Sequence, residues 1–480
     1  MSEELGLSVT RKDDFSKWYL EVVRKGGFKD QRTPTKGMDV IMPWGYALWE
    51  KIQELLDIEM KARGVRNACF PLLIPESFIE KEKEHFEGFE AEAVMATHVG
   101  KTKFEEPYII RPTSETIMYY MYSLWIRSHK DLPLKINQWC NVVRWDTKET
   151  KPFVRDREFL WMELHTAHAN REDALKEIDE EQNFAKKLYE ALAMAALVLK
   201  RPKHDTFPGA EFSVAYDTLV QDGRVMQGPG THFLGQNFAK AFEIMFEDRN
   251  NKKQHVWQTC LGISTRQLGA IIMHHGDDKG AMLPPLISPI QVVIVPIMFK
   301  NRENDVLNKA NEIKHNLEKL NARVHVDDRA DYSAGFKFNE WELKGVPLRI
   351  EIGPKDIDAH KFVCVRRLDG KKIDVSEDDA KQVIYLLNET QEGMYERSKQ
   401  LLRENVHDIR TMTELKALMQ KGGIARANWC GSSECANWIK DKTNGGEVRG
   451  TKYGESERVF GECIYCGKHA EHVVYIAKAY

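Results

Sequence analysis

Four cysteines crowd the C-terminal end of the chain as two pairs, Cys430-x4-Cys435 and Cys463-x2-Cys466. Thiolates paired on short loops suit tetrahedral coordination by four sulfurs, a geometry that Zn2+ accepts. Four thiolates close the shell and leave no position for water, so such an ion is structural rather than catalytic. The plain alternative is four unrelated reduced thiols. His469 and His472 lie near enough in sequence to replace one sulfur. Cys69, Cys140, Cys260 and Cys364 are isolated along the rest of the chain.

A second group is arginine-rich. Arg144 ends one apolar run, Arg155 and Arg157 begin the next, and Arg266 follows Gly262-Ile-Ser-Thr ahead of the apolar residues 268–273. An arginine entering an apolar strand needs an anionic partner. A carboxylate such as Glu158 or Glu163 would serve, and so would a bound phosphate, since the planar guanidinium fork matches both. Next comes the string RPTSET, Arg111 to Thr116. Thr113 or Ser114 suits a helix N-cap, with Glu115 a favourable first-turn anion. The functional reading is that Thr113 and Glu115 hold a ligand's ammonium group. Finally, Gln227-Gly-Pro-Gly-Thr-His-Phe-Leu-Gly contains three glycines, Gly228, Gly230 and Gly235, that let a backbone approach a ligand, with His232 among them.

These residues must be positioned by regular elements. Apolar spacing predicts a helix over 42–63, stopped by Gly64, then a strand over 65–74. Residues 134–145 and 152–164 read as a hairpin around the charged loop 146–151. A long helix is expected over 171–200. The segment MLPPLISP, 282–289, is the clearest linker, because its prolines cannot sit inside a helix. Beyond it, strands at 291–297, 324–326, 347–352 and 362–365, with a helix over 303–320, suggest a compact α/β unit. Boundaries are therefore expected at 1–283, 284–400 and 401–480, the last unit carrying the cysteine cluster.

Length and composition set outer limits. A chain of 480 residues with 42% hydrophobic and 30% charged residues can bury several cores. Lys and Arg total 70 against 73 Asp and Glu, a net charge of -3, which excludes a histone-like polybasic protein. A nucleic-acid partner stays open, because a local basic face can sit on a neutral chain. The longest apolar run, 191–199, falls far short of the roughly 20 residues of a membrane span. The polar start has no apolar signal core, so a cytoplasmic location is expected. Neither a GxxxxGK[ST] loop nor a GxGxxG after a strand occurs. ATP, if used, must be bound by another scaffold.

Taken together, the four groups resemble the class II aminoacyl-tRNA synthetases, and among them the prolyl-tRNA synthetase family whose members carry a zinc-bearing C-terminal extension. RGVRNACFP, 63–71, resembles motif 1, at the family's dimer interface. Residues 143–163 resemble motif 2, and GISTR, 262–266, motif 3. RPTSET, NQWCNVVRW, REFLWMELHTAH and WELKGVPLRIEIGPKD are far more specific to the prolyl branch.

The resemblance implies an α+β multidomain fold. It comprises a six-stranded antiparallel sheet with flanking helices, an α/β anticodon-binding domain and a small zinc-binding domain. It implies proline, ATP with Mg2+, and tRNA(Pro) as partners, in a homodimer. Arg144, Arg155 and Arg266 would be catalytic. Thr113, Glu115, Arg144, Phe159, Trp161, His232 and Cys260 would hold proline. Arg144, Asp146, Arg155, Gln227, Gly230, Ser264 and Arg266 would hold ATP. Glu342, Arg349 and Lys355 would read the anticodon, Cys430, Cys435, Cys463 and Cys466 would bind zinc, and the Tyr480 carboxylate would reach toward the active site. Gly230 stands where relatives often have Thr, and Asp146 where many have Glu. Only residues 164–226 separate Glu163 from Gln227, which leaves no room for the editing domain of some relatives. A small apolar pocket discriminates weakly between neighbouring sizes, so some activation of alanine or cysteine is expected. The rivals are a threonyl-type synthetase, which would need a catalytic-domain zinc, and an inactive tRNA-binding paralogue, which would have lost Arg144, Arg155, Glu115 or Arg266. A zinc hydrolase is excluded by the closed thiolate shell.

Overall fold

The computed structural model describes residues 6–78 and 93–480. Its centre is a run of six antiparallel strands in the spatial order Leu197–Lys200, Phe212–Leu219, Val225–Gly235, Trp257–Ser264, Glu158–His168 and Leu134–Val143. This is the sheet expected above. It continues at both edges. Arg66–Asn67 pairs in parallel with Leu134–Val143. At the other edge Gly446–Lys452 pairs with Leu197–Lys200, which joins the C-terminal strands into one sheet of 11 strands.

Two-residue periodicity gives this sheet its two faces. In Glu158–His168, Leu160, Met162 and Leu164 point into a core shared with Leu48, Trp49, Ile52, Phe184 and Leu188. The alternate residues Phe159, Trp161, Glu163 and His165 face a cavity instead. Trp257–Ser264 repeats the pattern: Leu261 and Ile263 join the core, while Cys260, Gly262 and Ser264 line the cavity. Truncating Leu164, which is fully buried, to Ala would cost roughly 2–5 kcal/mol through lost transfer energy and a new void.

The helices that cover the apolar face follow from their sequences. Pro43–Ala62 starts with proline in its first turn and buries Leu48, Trp49, Ile52, Leu56 and Met60 at three- and four-residue intervals. Arg171–Ala191 is capped by the Asn170 side chain, which accepts from the Asp173 N–H at 2.8 Å. It does not run to residue 200. Ala193 adopts a positive φ of 51°, the chain turns, and Leu197–Lys200 becomes a strand. Helix propensity in this Ala- and Leu-rich run yields to hydrogen bonds from two neighbouring strands. The strand expected over 65–74 is likewise broken, into Arg66–Asn67 and Leu73–Pro75. Pro71, between them, has no N–H to donate. The second hairpin strand begins only at Glu158, because Phe153 takes a φ of 63°.

A second sheet orders Val324–Val326, Val292–Pro296, Leu348–Ile352, Lys361–Arg366 and Lys372–Ser376, with helices such as Glu303–Glu318 packed on it. The helix Ala380–Asn405 then passes without a break through position 400. It leans on the first unit: Ser398 Oγ accepts from the Ala195 N–H at 2.7 Å and contacts His274 Nε2 at 2.6 Å.

Candidate active site

The cavity above the six-stranded sheet has two connected parts. The inner part, about 200 Å³, is lined by Thr113, Glu115, Arg144, Phe159, Trp161, Gln227, Gly230, His232, Cys260, Ser264 and Arg266. The outer part, about 620 Å³, adds Asp146, Arg155 and the terminal Tyr480. Every residue assigned above to proline or ATP therefore borders one or other of two adjoining spaces that share Arg144, Phe159, Ser264 and Arg266.

Glu115 opens the helix Glu115–Trp125 and is 4% exposed. The expected N-cap does not form: Ser114 makes no capping bond. Its hydroxyl donates instead to the buried Glu163 carboxylate, and Thr113 Oγ1 donates to Glu115. Glu163 also accepts from Gln138 Nε2 at 3.1 Å, and His165 Nε2 lies 3.4 Å from it. Burial pushes the Glu163 carboxyl up, but His165, Ser114 and Gln138 outweigh it and hold the group below its usual range. His232 Nδ1 lies 2.7 Å from Ser213 Oγ, which already accepts the Phe207 N–H. The Ser213 proton is thus directed at Nδ1, leaving a proton on Nε2. Burial, with His165 and Arg201 nearby, lowers the His232 pKa to about 3, so the ring is neutral at pH 7.

At the other end three arginines converge. Arg144 donates Nε–H to the Pro112 carbonyl at 3.0 Å and lies over Phe159 and Trp161, 5.4 and 5.3 Å from their ring centres. Arg266 donates Nε–H to the Val154 carbonyl at 3.0 Å. It begins the helix Arg266–His275, not a strand. Burial and the charges of Arg144 and Arg155 lower its pKa to about 10. Among the described residues, none of the three is ion-paired with a carboxylate. The salt bridge considered for Arg157 does not form either: its Nε–H reaches the Thr147 carbonyl at 3.3 Å and its guanidinium lies over Trp145 at 4.2 Å. Three unneutralised guanidiniums around a cavity form a site for a polyanion. The glycines divide differently from expectation. A side chain at Gly228 would collide with Tyr189 Oη and one at Gly235 with the Glu211 carboxylate, so both admit protein groups, but Gly228 also borders the inner cavity with Gly230 and Gly235 does not.

The chain matches three family models: the tRNA synthetase class II core domain (G, H, P, S and T) over residues 98–275, an anticodon binding domain over 291–385, and the prolyl-tRNA synthetase C-terminal domain over 412–480. The proline–tRNA ligase of Alkaliphilus oremlandii is 44% identical over 470 residues, 97% of this chain and 96% of that protein. The chain belongs to the proline–tRNA ligase family. Another family member, from Thermofilum pendens, is 41% identical with all of both chains covered. The crystal structure of prolyl-tRNA synthetase from Cryptosporidium parvum, complexed with halofuginone and AMPPNP, matches with a TM-score of 0.93 at 36% identity, covering 99% of this chain and 100% of that one. The threonyl-type alternative finds no such support.

In this proline–tRNA ligase family member the C-terminal cysteines meet. The sulfurs of Cys430, Cys435, Cys463 and Cys466 lie within 4.8 Å of one another, and neither His469 nor His472 is in the set. Gly431 and Gly467, each directly after a cysteine, take φ of 84° and 68°, the left-handed turns that fold the two loops back. The Lys468 N–H draws the Cys466 thiol down to about 7. The donor set and spacing fit a tetrahedral thiolate site. In the second unit, Arg349 is clamped by Glu342 at 3.0 Å and Glu351 at 2.8 Å, and Glu342 and Arg349 line one cavity with Asp277 and Lys279. Lys355 is exposed and does not line it.

Several participants escaped the sequence reading. His165 and Phe207 line the inner cavity. The alternation Phe159, Trp161, Glu163, His165 could have found the first, and nothing local marks the second. Gln227 Oε1 accepts from Arg201 and Arg449 at 3.2 and 3.1 Å, and both arginines grip the buried Asp217. The C-terminal unit thus braces, through Arg449, a side chain of the cavity wall. Tyr480 is anchored at its mouth: its N–H reaches the Val225 carbonyl at 3.1 Å and its hydroxyl donates to Asp222.

Proposed function

We propose that the cavity activates L-proline with ATP and passes the prolyl group to the 3' end of tRNA(Pro). In the first step a proline carboxylate oxygen attacks the α-phosphorus and pyrophosphate leaves. In the second, a 3'-terminal ribose hydroxyl attacks the carbonyl carbon and AMP leaves. The observation that carries the reading is the polarity of the cavity: a buried carboxylate, Glu115, at its inner end and three unpaired guanidiniums beyond it.

A zwitterion fits that polarity. Its ammonium lies against Glu115 and Thr113, its ring between Phe159, Trp161, His232 and Cys260, and its carboxylate toward Arg144. Because a carboxylate is already nucleophilic, the first step needs alignment and charge neutralisation rather than a base. Arg144 stabilises charge at the α-phosphate, and Arg155 and Arg266 hold the outer phosphates. Asp146, Gln227, Gly230 and Ser264 take the nucleoside. Mg2+ bound with ATP would supply shielding of the phosphate charge. Asp146 and Glu149 border the outer cavity and, among the described residues, neither is in an ion pair, so either carboxylate would be free to ligate the ion. Neutral His232 adds no positive charge near the proline ammonium.

Glu342, Arg349 and Lys355 are assigned to the anticodon, where an arginine fork on guanine O6 and N7 is the usual strong contact. The four cysteines would hold a structural Zn2+, and none of them lines the proposed active cavity. The boundaries 1–283, 284–400 and 401–480 are proposed as functional divisions. A homodimer is supported by an exposed apolar surface, Leu72, Leu73, Tyr120, Leu124 and Trp125, joined by the Phe70–Trp125 and Phe78–Tyr120 ring contacts. No helix among the described residues is long and apolar enough to cross a membrane, and the cytoplasm is the proposed location.

ATP–pyrophosphate exchange with each of the twenty amino acids tests the assignment. Proline must give the highest rate, with weaker exchange for alanine or cysteine. Residues 164–226 form one helix, short strands and turns, so editing in cis should be absent. A maximum with any other amino acid would sink the assignment.

A further inference from the structure

Glu115, His165 and Cys260 each present one donor atom, and the three atoms lie within 4.8 Å of one another. His165 and Cys260 are direct cross-strand partners, so the pleat puts both side chains on the cavity face. Glu115 is lowered onto them by the first turn of its helix. All three are at most 5% exposed, yet all border the inner cavity. Carboxylate oxygen, imidazole nitrogen and thiolate sulfur are the donors Zn2+ takes, and three of them leave the fourth tetrahedral position open to the cavity. Ligand atoms around zinc stand roughly 3.3–3.8 Å apart, given bonds of about 2.0–2.3 Å, so rotamer adjustments of about an ångström close the set. The surroundings add negative charge: Glu163 is buried beside His165. Tyr119 Oη, 2.8 Å from His165 Nδ1, fixes the ring so that Nε2 is the nitrogen turned to the other donors.

We infer that Glu115, His165 and Cys260 form a second zinc site inside the amino-acid pocket, and that zinc bound there excludes proline. The exclusion clause rests on the proposed function, since it places the proline ammonium at Glu115. The ion competes for the same carboxylate and fills the same space, so inhibition is competitive with proline and not with ATP. A three-donor site with one open position binds less tightly than the closed shell of four thiolates. The pocket is therefore loaded only after the C-terminal site is full.

The test uses the full-length chain, stripped of metal and titrated with Zn2+ alone. Two equivalents should bind to the native sequence, one to Cys260→Ser or His165→Ala, and one to the double variant Cys430→Ser, Cys463→Ser. With Co2+ in that double variant, a thiolate-to-metal charge-transfer band should appear, vanish on further replacement of Cys260 by serine, and fade as L-proline is added. In exchange assays, free Zn2+ should raise the apparent KM for proline in proportion to its concentration with kcat unchanged. A second equivalent retained in both Cys260→Ser and His165→Ala, or only one bound by the native chain, overturns the site. A second equivalent that proline fails to displace, in a chain whose exchange depends on proline, overturns the competition. The metal titration reads no catalysis, so exchange that does not depend on proline would break the proposed function and leave the site's own readout standing.

Discussion

Arg201 and Arg449 share the carboxylate of Asp217 at 2.6–3.2 Å, and all three side chains are at least 90% buried. Around the neighbouring cavity, Arg144, Arg155 and Arg266 share no carboxylate among the described residues. The first group is neutralised by the fold. Two guanidiniums outweigh the desolvation of the Asp217 carboxyl and hold it down at about 2. The second group is left charged by the fold, and burial, together with the charges of Arg144 and Arg155, pushes Arg266 down to about 10. Two clusters of one residue type thus differ in what completes them: a protein carboxylate in one, a ligand's phosphates in the other.

The largest effect should come from breaking the closed cluster. Asp217→Ala leaves two buried guanidiniums facing each other and should destabilise the chain by about 3–5 kcal/mol, read by urea unfolding. A loss below about 1 kcal/mol would show that the cluster is not structural and remove one side of the contrast. Arg144→Ala should behave oppositely. Exchange should fall by about 10²–10³ while the thermal midpoint moves by no more than a few degrees. A drop in stability like that of Asp217→Ala would make Arg144 structural instead.

Acid sharpens the comparison further. Asp217 has a folded pKa below the ordinary value near 3.9. Its contribution is complete above about pH 4 and is lost as pH falls toward about 2, with about 2–3 kcal/mol at stake. In Asp217→Asn the stability curve across that same window should be flatter. No such change should accompany Arg144→Ala. The smallest effect is a solvent-exposed pair: Lys187 and Glu59 at 2.6 Å, with side chains 59% and 33% exposed. Lys187→Ala should cost less than about 1 kcal/mol, since water and salt screen it.

How much of this was legible in the sequence depends on how local the cause is. The hairpin strand Glu158–His168 declares its two faces by alternation, and the four cysteines declare their loops by spacing, because pleat and chelate geometry act over a few residues. The capping reading of Ser114 failed because Glu163, 49 residues away, took its hydroxyl. The helix expected to reach residue 200 ended early because strands from two distant segments offered better hydrogen bonds to 197–200.

By itself the sequence determined which residue types would meet a polyanion, an ammonium group and a soft metal, and the order in which the units carrying them are strung. Only the tertiary structure decided that Arg449, 232 residues from Asp217, would close one arginine cluster while the neighbouring one stayed open. It also decided that Glu115, His165 and Cys260 would turn their donor atoms into one pocket. The reason is physical. Charge compensation and coordination depend on separations of roughly 3–5 Å in space, and such distances between residues far apart in the chain are set by sheet register and helix packing.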